Sequence, residues 1–385
     1  MSKNILFLAD GTWNGPGQDQ DDDGTPDPTN VFKLFSNLDG VDTPDTTRLA
    51  NEQEKELADR TGLTQVAKYL HGVGDSRNFL VRLFGGTGGA GLVTRIVRGY
   101  TFVSRHYEAD DRIFVVGFSR GAYTARALAG LIAARGLLDA TKLDLGDKEK
   151  AYRLGAAVWY DYRREALGRK KDGTRLIDQL TEIASDLPGF LSSRPTKELR
   201  AGVRIDTAAV WDTVGALGIP KYTMDASRVD AFQFADCVLS RMVDHGLHAV
   251  AVDEQRADFT PTLWDDDARI TQMLFPGAHS DVGGGYTSRN AHSGLSDGAL
   301  RWMSDELAAL GVRLHATPPF VPRPDFRGVA HQPWRKTPWD VLPRAARSFK
   351  GRFLQHESLR ERMRCGPVAC ESDPPAAYAP ANLPV

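Results

Sequence analysis

Arg112-Ile-Phe-Val-Val-Gly-Phe-Ser-Arg-Gly-Ala122 sets four apolar residues, Ile113 to Val116, directly before the glycine-bracketed turn Gly117-Phe118-Ser119-Arg120-Gly121. A second apolar run, Ala122-Tyr-Thr-Ala-Arg-Ala-Leu-Ala129, follows. The order predicts a buried strand, a tight turn and a helix. The turn spells G-x-S-x-G, a strained elbow that lifts a serine hydroxyl out of a sheet. A serine is a nucleophile only where a base takes its proton. Gly117 and Gly121 carry no Cβ, so strand and helix can approach closely. The start of the following helix offers backbone N–H groups to a developing oxyanion.

Composition sets the frame around this motif. The chain has 385 residues, 41% hydrophobic and 25% charged, an ordinary globular make-up that needs no disulfide or structural metal to build a core. The formal net charge of -2 gives no global field toward nucleic acid or an anionic membrane. The three cysteines, Cys237, Cys365 and Cys370, are an odd number, which argues for plain thiols and a reducing compartment. The apolar run Ile5-Leu-Phe-Leu-Ala9 is too short for a signal-peptide core, and no window of 18 apolar residues exists. A cytoplasmic location is the default expectation, with export that needs no cleaved signal left open. No cofactor and no metal are expected.

Outward from the elbow, apolar runs ending in polar or glycine-rich turns recur. Residues 4–9, 65–72, 203–211 and 270–276 predict further strands, and residues 30–38, 92–107 and 295–310 predict helices, the first capped by Thr29 or Asn30. Residues 18–29 are acidic and rich in Gly and Pro, which predicts a solvated loop, and Gly85 to Gly91 form a glycine loop without a P-loop ending. Residues 225–259 show helical periodicity. Residues 142–200 are polar, basic and helix-prone, a candidate cap inserted over the sheet. From Pro318 onward the chain is proline-rich, with a short helix at 357–363. The expected architecture is α/β: an α/β-hydrolase-like, mostly parallel sheet with helices on both faces. One catalytic domain over 1–320 would carry the insertion at about 142–200, and residues 321–385 would pack on it as a wrap or tail.

In such sheets, sites form outside the carboxyl ends of the strands. The polar residues just past the predicted strand ends are Asp10, Ser119, Asp212 and His279. A serine that transfers acyl groups needs a histidine base and a carboxylate that orients it, in the chain order Ser, Asp, His for this architecture. Ser119, Asp212 and His279 satisfy that order. Asp253 is the rival carboxylate, but it follows a segment that reads as helix. His245 and His248 lie on the same segment, and His292 and His356 are the remaining rival bases. His279 is preferred because Gly283 to Gly285 let its loop fold closely over the site. For the oxyanion hole, the expected donors are the N–H of Arg120 and that of Gly11 or Thr12. A cation-dependent site built from Asp10, Asp281 and the Asp21 to Asp23 cluster is a competing possibility. So is a non-catalytic binding or regulatory protein on a hydrolase scaffold.

Several blocks together resemble a known family. Asp10-Gly-Thr-Trp-Asn14, Gly117-Phe-Ser-Arg-Gly-Ala-Tyr-Thr-Ala-Arg126, Trp211-Asp-Thr-Val-Gly215, Ala251-Val-Asp-Glu-Gln-Arg256 and Phe275-Pro-Gly-Ala-His-Ser-Asp-Val-Gly-Gly-Gly-Tyr286 are similar to the bacterial and fungal α/β-hydrolase family once called a domain of unknown function. His356-Glu-Ser-Leu-Arg360 and Tyr378-Ala-Pro-Ala-Asn382 extend the resemblance into the tail. That family includes phospholipase effectors delivered by type VI secretion systems. The resemblance implies cleavage of glycerophospholipid acyl esters by a Ser-Asp-His triad, and it places the triad on Ser119, Asp212 and His279. It also implies a lipid or other acyl-ester substrate, peripheral membrane contact, and a secretion-system or immunity partner, with no nucleic acid. The effectors commonly carry extra membrane-associating segments, for which 385 residues leave little room.

Overall fold

The computed structural model describes residues 2–11, 15, 17, 19, 24–43, 52–72, 88–168, 196–214, 237–337 and 339–384. In chain order the first elements are strand β1 (Asn4–Ala9), helix α1 (Asn30–Asn37), and strands β2 (Val41–Thr43), β3 (Glu52–Asp59) and β4 (Gly62–Leu70). Helix α2 (Gly88–His106), strand β5 (Arg112–Phe118) and helix α3 (Arg120–Arg135) follow. Next come β6 (Leu137–Leu138), α4 (Lys148–Gly168), β7 (Leu199–Arg200), β8 (Ile205–Trp211), β9 (Val243–Ala251) and β10 (Ile270–Phe275). The chain ends through α5 (His279–Gly283), α6 (Gly294–Ala309), β11 (Leu354–Gln355), α7 (Glu357–Arg364), β12 (Pro367–Val368) and β13 (Ala376–Ala377).

Nine strands form one sheet in the order β11-β10-β9-β8-β5-β1-β4-β3-β2. Every pairing from β11 to β4 is parallel, and the β2–β3–β4 edge is antiparallel. The fold is α/β, a mostly parallel sheet with helices on both faces and the elbow strand β5 at its centre. Central strands buried on both faces need apolar residues at every position, which is why β1 and β5 read as unbroken Ile, Leu, Phe and Val runs. Alternate residues serve opposite faces. Ile5, Phe7, Ile113, Val115 and Val210 join the core under α2, α3 and α4. Leu6, Leu8, Phe114, Val116 and Trp211 join the core under α1 and α6.

The described part of the 142–200 insertion is a layer of this core. Ala151, Val158, Trp159 and Tyr160 of α4 pack with α2 and α3 against the sheet face. Residues 169–195, where a cap would continue, lie outside the described residues. The helix expected at residue 92 begins earlier, at Gly88, and residues 85–87 of the glycine loop also lie outside them. Of the helical periodicity expected over 225–259, residues 225–236 lie outside the described residues, and Val243–Ala251 is instead the parallel strand β9, seated between β8 and β10. Its stretch from Gly246 to Ala251 is buried on both faces, and such a run has no period that separates it from a buried helix.

The last part of the chain has more core than its proline content suggests. Phe349 and Leu359 pack on Val250, Val252 and Leu274 beside β9 and β10, and β11 extends the sheet by one strand.

Gly117 and Gly121 show why the elbow needs its glycines. A Cβ on Gly117 would stand 2.4 Å from the Gly121 carbonyl oxygen, and one on Gly121 would stand 2.0 Å from that of Ala9. Both clashes are with backbone, which has no rotamer escape. Gly121→Ala is therefore expected to lose about 3 kcal/mol of stability, the upper end of what overpacking costs, read by chemical denaturation. An unchanged unfolding midpoint would show that α3 can shift away from β1.

Candidate active site

Ser119 sits between β5 and α3 with φ 58° and ψ -123°, a backbone state uncommon for a residue with a side chain. A serine before a helix ordinarily caps it by accepting from a first-turn N–H. Here the strained turn removes that role: the Ser119 side chain makes no capping bond, and 8% of the residue remains exposed. Its backbone N–H donates to the Trp211 carbonyl at 3.2 Å, which ties the elbow to the end of β8.

Asp212 follows β8, has a positive φ of 38°, and is fully buried. Its Oδ2 meets His279 Nδ1 at 2.5 Å, and its Oδ1 accepts from the Ala251 backbone N–H at 2.9 Å. His279 opens α5, just past β10, and is 4% exposed. The imidazole lies between two rings, Phe118 at 4.6 Å and Phe259 at 5.0 Å between centroids. Phe118 immediately precedes Ser119, so this ring contact brings the histidine to the elbow. Gly283 makes the approach possible, because a Cβ there would fall 1.9 Å from the Phe118 ring. With Nδ1 committed to Asp212, Nε2 is the nitrogen that remains for a proton acceptor role. Burial pushes the His279 pKa below the ordinary imidazole value, against the opposing pull of Asp212.

A model of the catalytic domain of Tle1-like phospholipase effectors of type VI secretion systems matches residues 3–306. The chain belongs to this family. It is also similar to the uncharacterized protein YEL023C of Saccharomyces cerevisiae, at 26% identity over 271 residues, 67% of this chain and 32% of that protein. The chain thus spans about a third of the length of that relative. Among solved structures, an uncharacterized protein from Pseudomonas aeruginosa aligns with a TM-score of 0.40 at 16% identity, covering 82% of this chain and 46% of that one. A Tle1 effector bound to the VgrG spike of the type VI secretion system aligns with a TM-score of 0.35 at 17% identity, covering 74% and 52%. Ser119, Asp212 and His279 all fall within the span that matches the family.

Two residues at the site went unassigned in the sequence. Arg347 reaches Asp212 from far along the chain, with Nη1 on Oδ1 at 2.5 Å and Nη2 on Oδ2 at 2.8 Å. Burial would raise the Asp212 pKa, but Arg347 and His279 outweigh it and hold the carboxyl well below the usual carboxylate range. Glu254 accepts from the His279 backbone N–H at 3.2 Å and forms a buried pair with Arg256. Glu254 lies inside the Ala251 to Arg256 block that carries the family resemblance, so a signal for it existed. Arg347 lies beyond the family span, among residues with no local pattern.

The rival residues are engaged elsewhere. Asp253 does follow a strand, contrary to expectation, but its carboxylate accepts from the Gly277 N–H at 2.6 Å and the Tyr378 hydroxyl at 2.8 Å. Burial pushes its pKa up to about 6. His248 lies inside the sheet, where its Nε2 accepts from the Thr213 N–H at 3.2 Å, and burial pushes its pKa down to about 3. His245 is exposed on β9. His356 caps α7 through its side chain, and His292 pairs with His331 at 2.9 Å.

Asp10 and Asp281 do not form a cation site together. Asp10 is bonded by the Tyr69 hydroxyl at 2.6 Å and the Thr29 hydroxyl at 2.9 Å, and burial pushes its pKa up to about 6. Asp281 accepts from the Ala278 N–H at 2.9 Å and meets His331 Nδ1 at 2.6 Å. Asp21 to Asp23 lie outside the described residues, and among those described no group of acidic, histidine or cysteine side chains could hold a metal. Of the expected oxyanion donors, Arg120 is the first residue of α3, directly after Ser119. The Gly11 N–H donates to Asp10 Oδ1 at 2.7 Å, and Thr12 lies outside the described residues.

Proposed function

We propose that the chain is a serine hydrolase of acyl esters, a phospholipase or lipase, working through an acyl-enzyme on Ser119. The buried Asp212–His279 bond of 2.5 Å, with the imidazole against the ring that precedes Ser119, carries this proposal. Membership in a family of phospholipase effectors supports the lipid ester as substrate class. In this reading His279 Nε2 takes the Ser119 proton as Oγ attacks the ester carbonyl carbon. The oxyanion meets backbone N–H groups, with Arg120 as first donor and, since the Gly11 N–H is held by Asp10, Thr12 as the second. Collapse expels the alcohol, which receives the proton back from His279. Water, deprotonated by the same nitrogen, then attacks the acyl-enzyme and releases the fatty acid. Asp212 holds the imidazole tautomer and stabilises the imidazolium. Delivery through a secretion system, and an immunity partner, belong to the same proposal. Among the described residues no helix is long and apolar enough to cross a membrane.

A fluorophosphonate probe tests the nucleophile directly. Labelling of Ser119 is expected, and its rate reports the protonation of His279. Because burial lowers the His279 pKa, the neutral base persists into mildly acidic solution. The labelling rate is then expected to be flat through neutral pH and to fall along a single limb below the ordinary imidazole value of about 6.5. Absence of labelling, or a limb above that value, would contradict the assignment.

A further inference from the structure

We propose that Arg347 is a positioning residue for the Asp212–His279 pair, supplied by the C-terminal segment, and that it holds the carboxylate in register and offsets its charge. The proposal rests on the reading of Ser119 as nucleophile. Arg347 and Asp212 have side chains 2% and 0% exposed, so neither charge has water to solvate it. Both terminal nitrogens of the guanidinium bond the carboxylate, one to each oxygen. The same two nitrogens are anchored in turn, Nη1 on the Ala251 carbonyl and Nη2 on the Phe259 carbonyl, each at 2.8 Å. The Arg347 backbone carbonyl accepts from Asn382 Nδ2 at 3.1 Å.

This fork joins three parts of the site: Asp212 after β8, the end of β9, and the segment whose Phe259 ring lies on His279. Oδ2 is shared between Arg347 Nη2 and His279 Nδ1, so a rotation of the carboxylate breaks both bonds at once. A lysine would supply the charge but not the fork.

The charge has its own consequence. His279 faces Asp212, which follows β8 and is itself gripped by Arg347 of the C-terminal segment, and Glu254 and Arg256, which are paired with each other. On its own helix, Asp281 is engaged by His331. Without Arg347, Asp212 becomes an unbalanced acidic neighbour and favours the imidazolium. Arg347 thus keeps the base neutral at the pH where it must accept a proton.

Two variants separate fork from charge. In a Ser119→Ala background, NMR titration of the His279 ring is expected to show a midpoint raised by about one pH unit or more in Arg347→Met, the order that an unbalanced neighbouring charge produces. Arg347→Lys is expected to leave that midpoint in place. With Ser119 restored, Arg347→Lys is expected to lower kcat on a soluble ester by about 10²-fold, the cost of a misplacement of about 1 Å. An unmoved midpoint in folded Arg347→Met, or wild-type kcat in Arg347→Lys, overturns the proposal. If Arg347→Met does not fold, the kcat of Arg347→Lys decides. If the wild type hydrolyses no ester, the nucleophile reading fails, and the midpoint comparison still decides the role of Arg347.

Discussion

Ser119→Ala is expected to lower kcat/KM on an acyl ester by on the order of 10⁴-fold or more, the loss that follows removal of an activated serine nucleophile. Stability is expected to stay within about 0.5 kcal/mol of wild type. The physical ground for that separation is the backbone. Alanine meets the same conformational cost as serine at φ 58°, and the Ser119 hydroxyl makes no capping bond that alanine would remove. The elbow itself is held by the Ser119 N–H on the Trp211 carbonyl, which the substitution preserves. Steady-state hydrolysis paired with a denaturation curve reads both quantities. Hydrolysis within tenfold of wild type would mean that another group attacks the ester.

Asp212→Asn tests the orienting carboxylate and is expected to harm both activity and stability. Four donors converge on Asp212: the Ala251 N–H, both terminal nitrogens of Arg347, and His279 Nδ1. An asparagine keeps the shape but must place an NH₂ where an acceptor stood, so at least one donor faces a donor. If that NH₂ meets His279, the imidazole adopts the tautomer with its proton on Nε2, which cannot accept from Ser119. The analogous tautomer error costs about 10⁴-fold in turnover in a serine protease. Arg347 meanwhile loses the anion its fork grips, and breaking a buried pair from one side costs about 3–5 kcal/mol. Measured kcat and unfolding free energy should fall together. Retention of wild-type stability would show that solvent or another acid reaches Arg347.

The expected strands at β1, β5, β8 and β10 and the helices α1 and α6 stand where local pattern puts them. Each is an apolar run with a cap or turn at its end, and such signals are local. The same holds for Ser119, Asp212 and His279 as strand-end residues, because parallel strands necessarily collect their carboxyl ends on one rim. β9 defeated the pattern, since burial on both faces erases the alternation that marks a strand. That error also misdirected the case against Asp253, which is excluded by its bonds to Gly277 and Tyr378 rather than by a helix.

By itself, then, the chain's order of residues determined the elbow, the α/β architecture and the chemical types gathered at the rim. Those properties follow from neighbours a few residues apart and from the rule that parallel strands end together. Only the tertiary structure decided which carboxylate meets His279 and that an arginine 135 positions beyond Asp212 completes its surroundings. A buried charge is satisfied by whichever opposite charge the folded chain brings within hydrogen-bonding distance, and sequence separation places no limit on that choice.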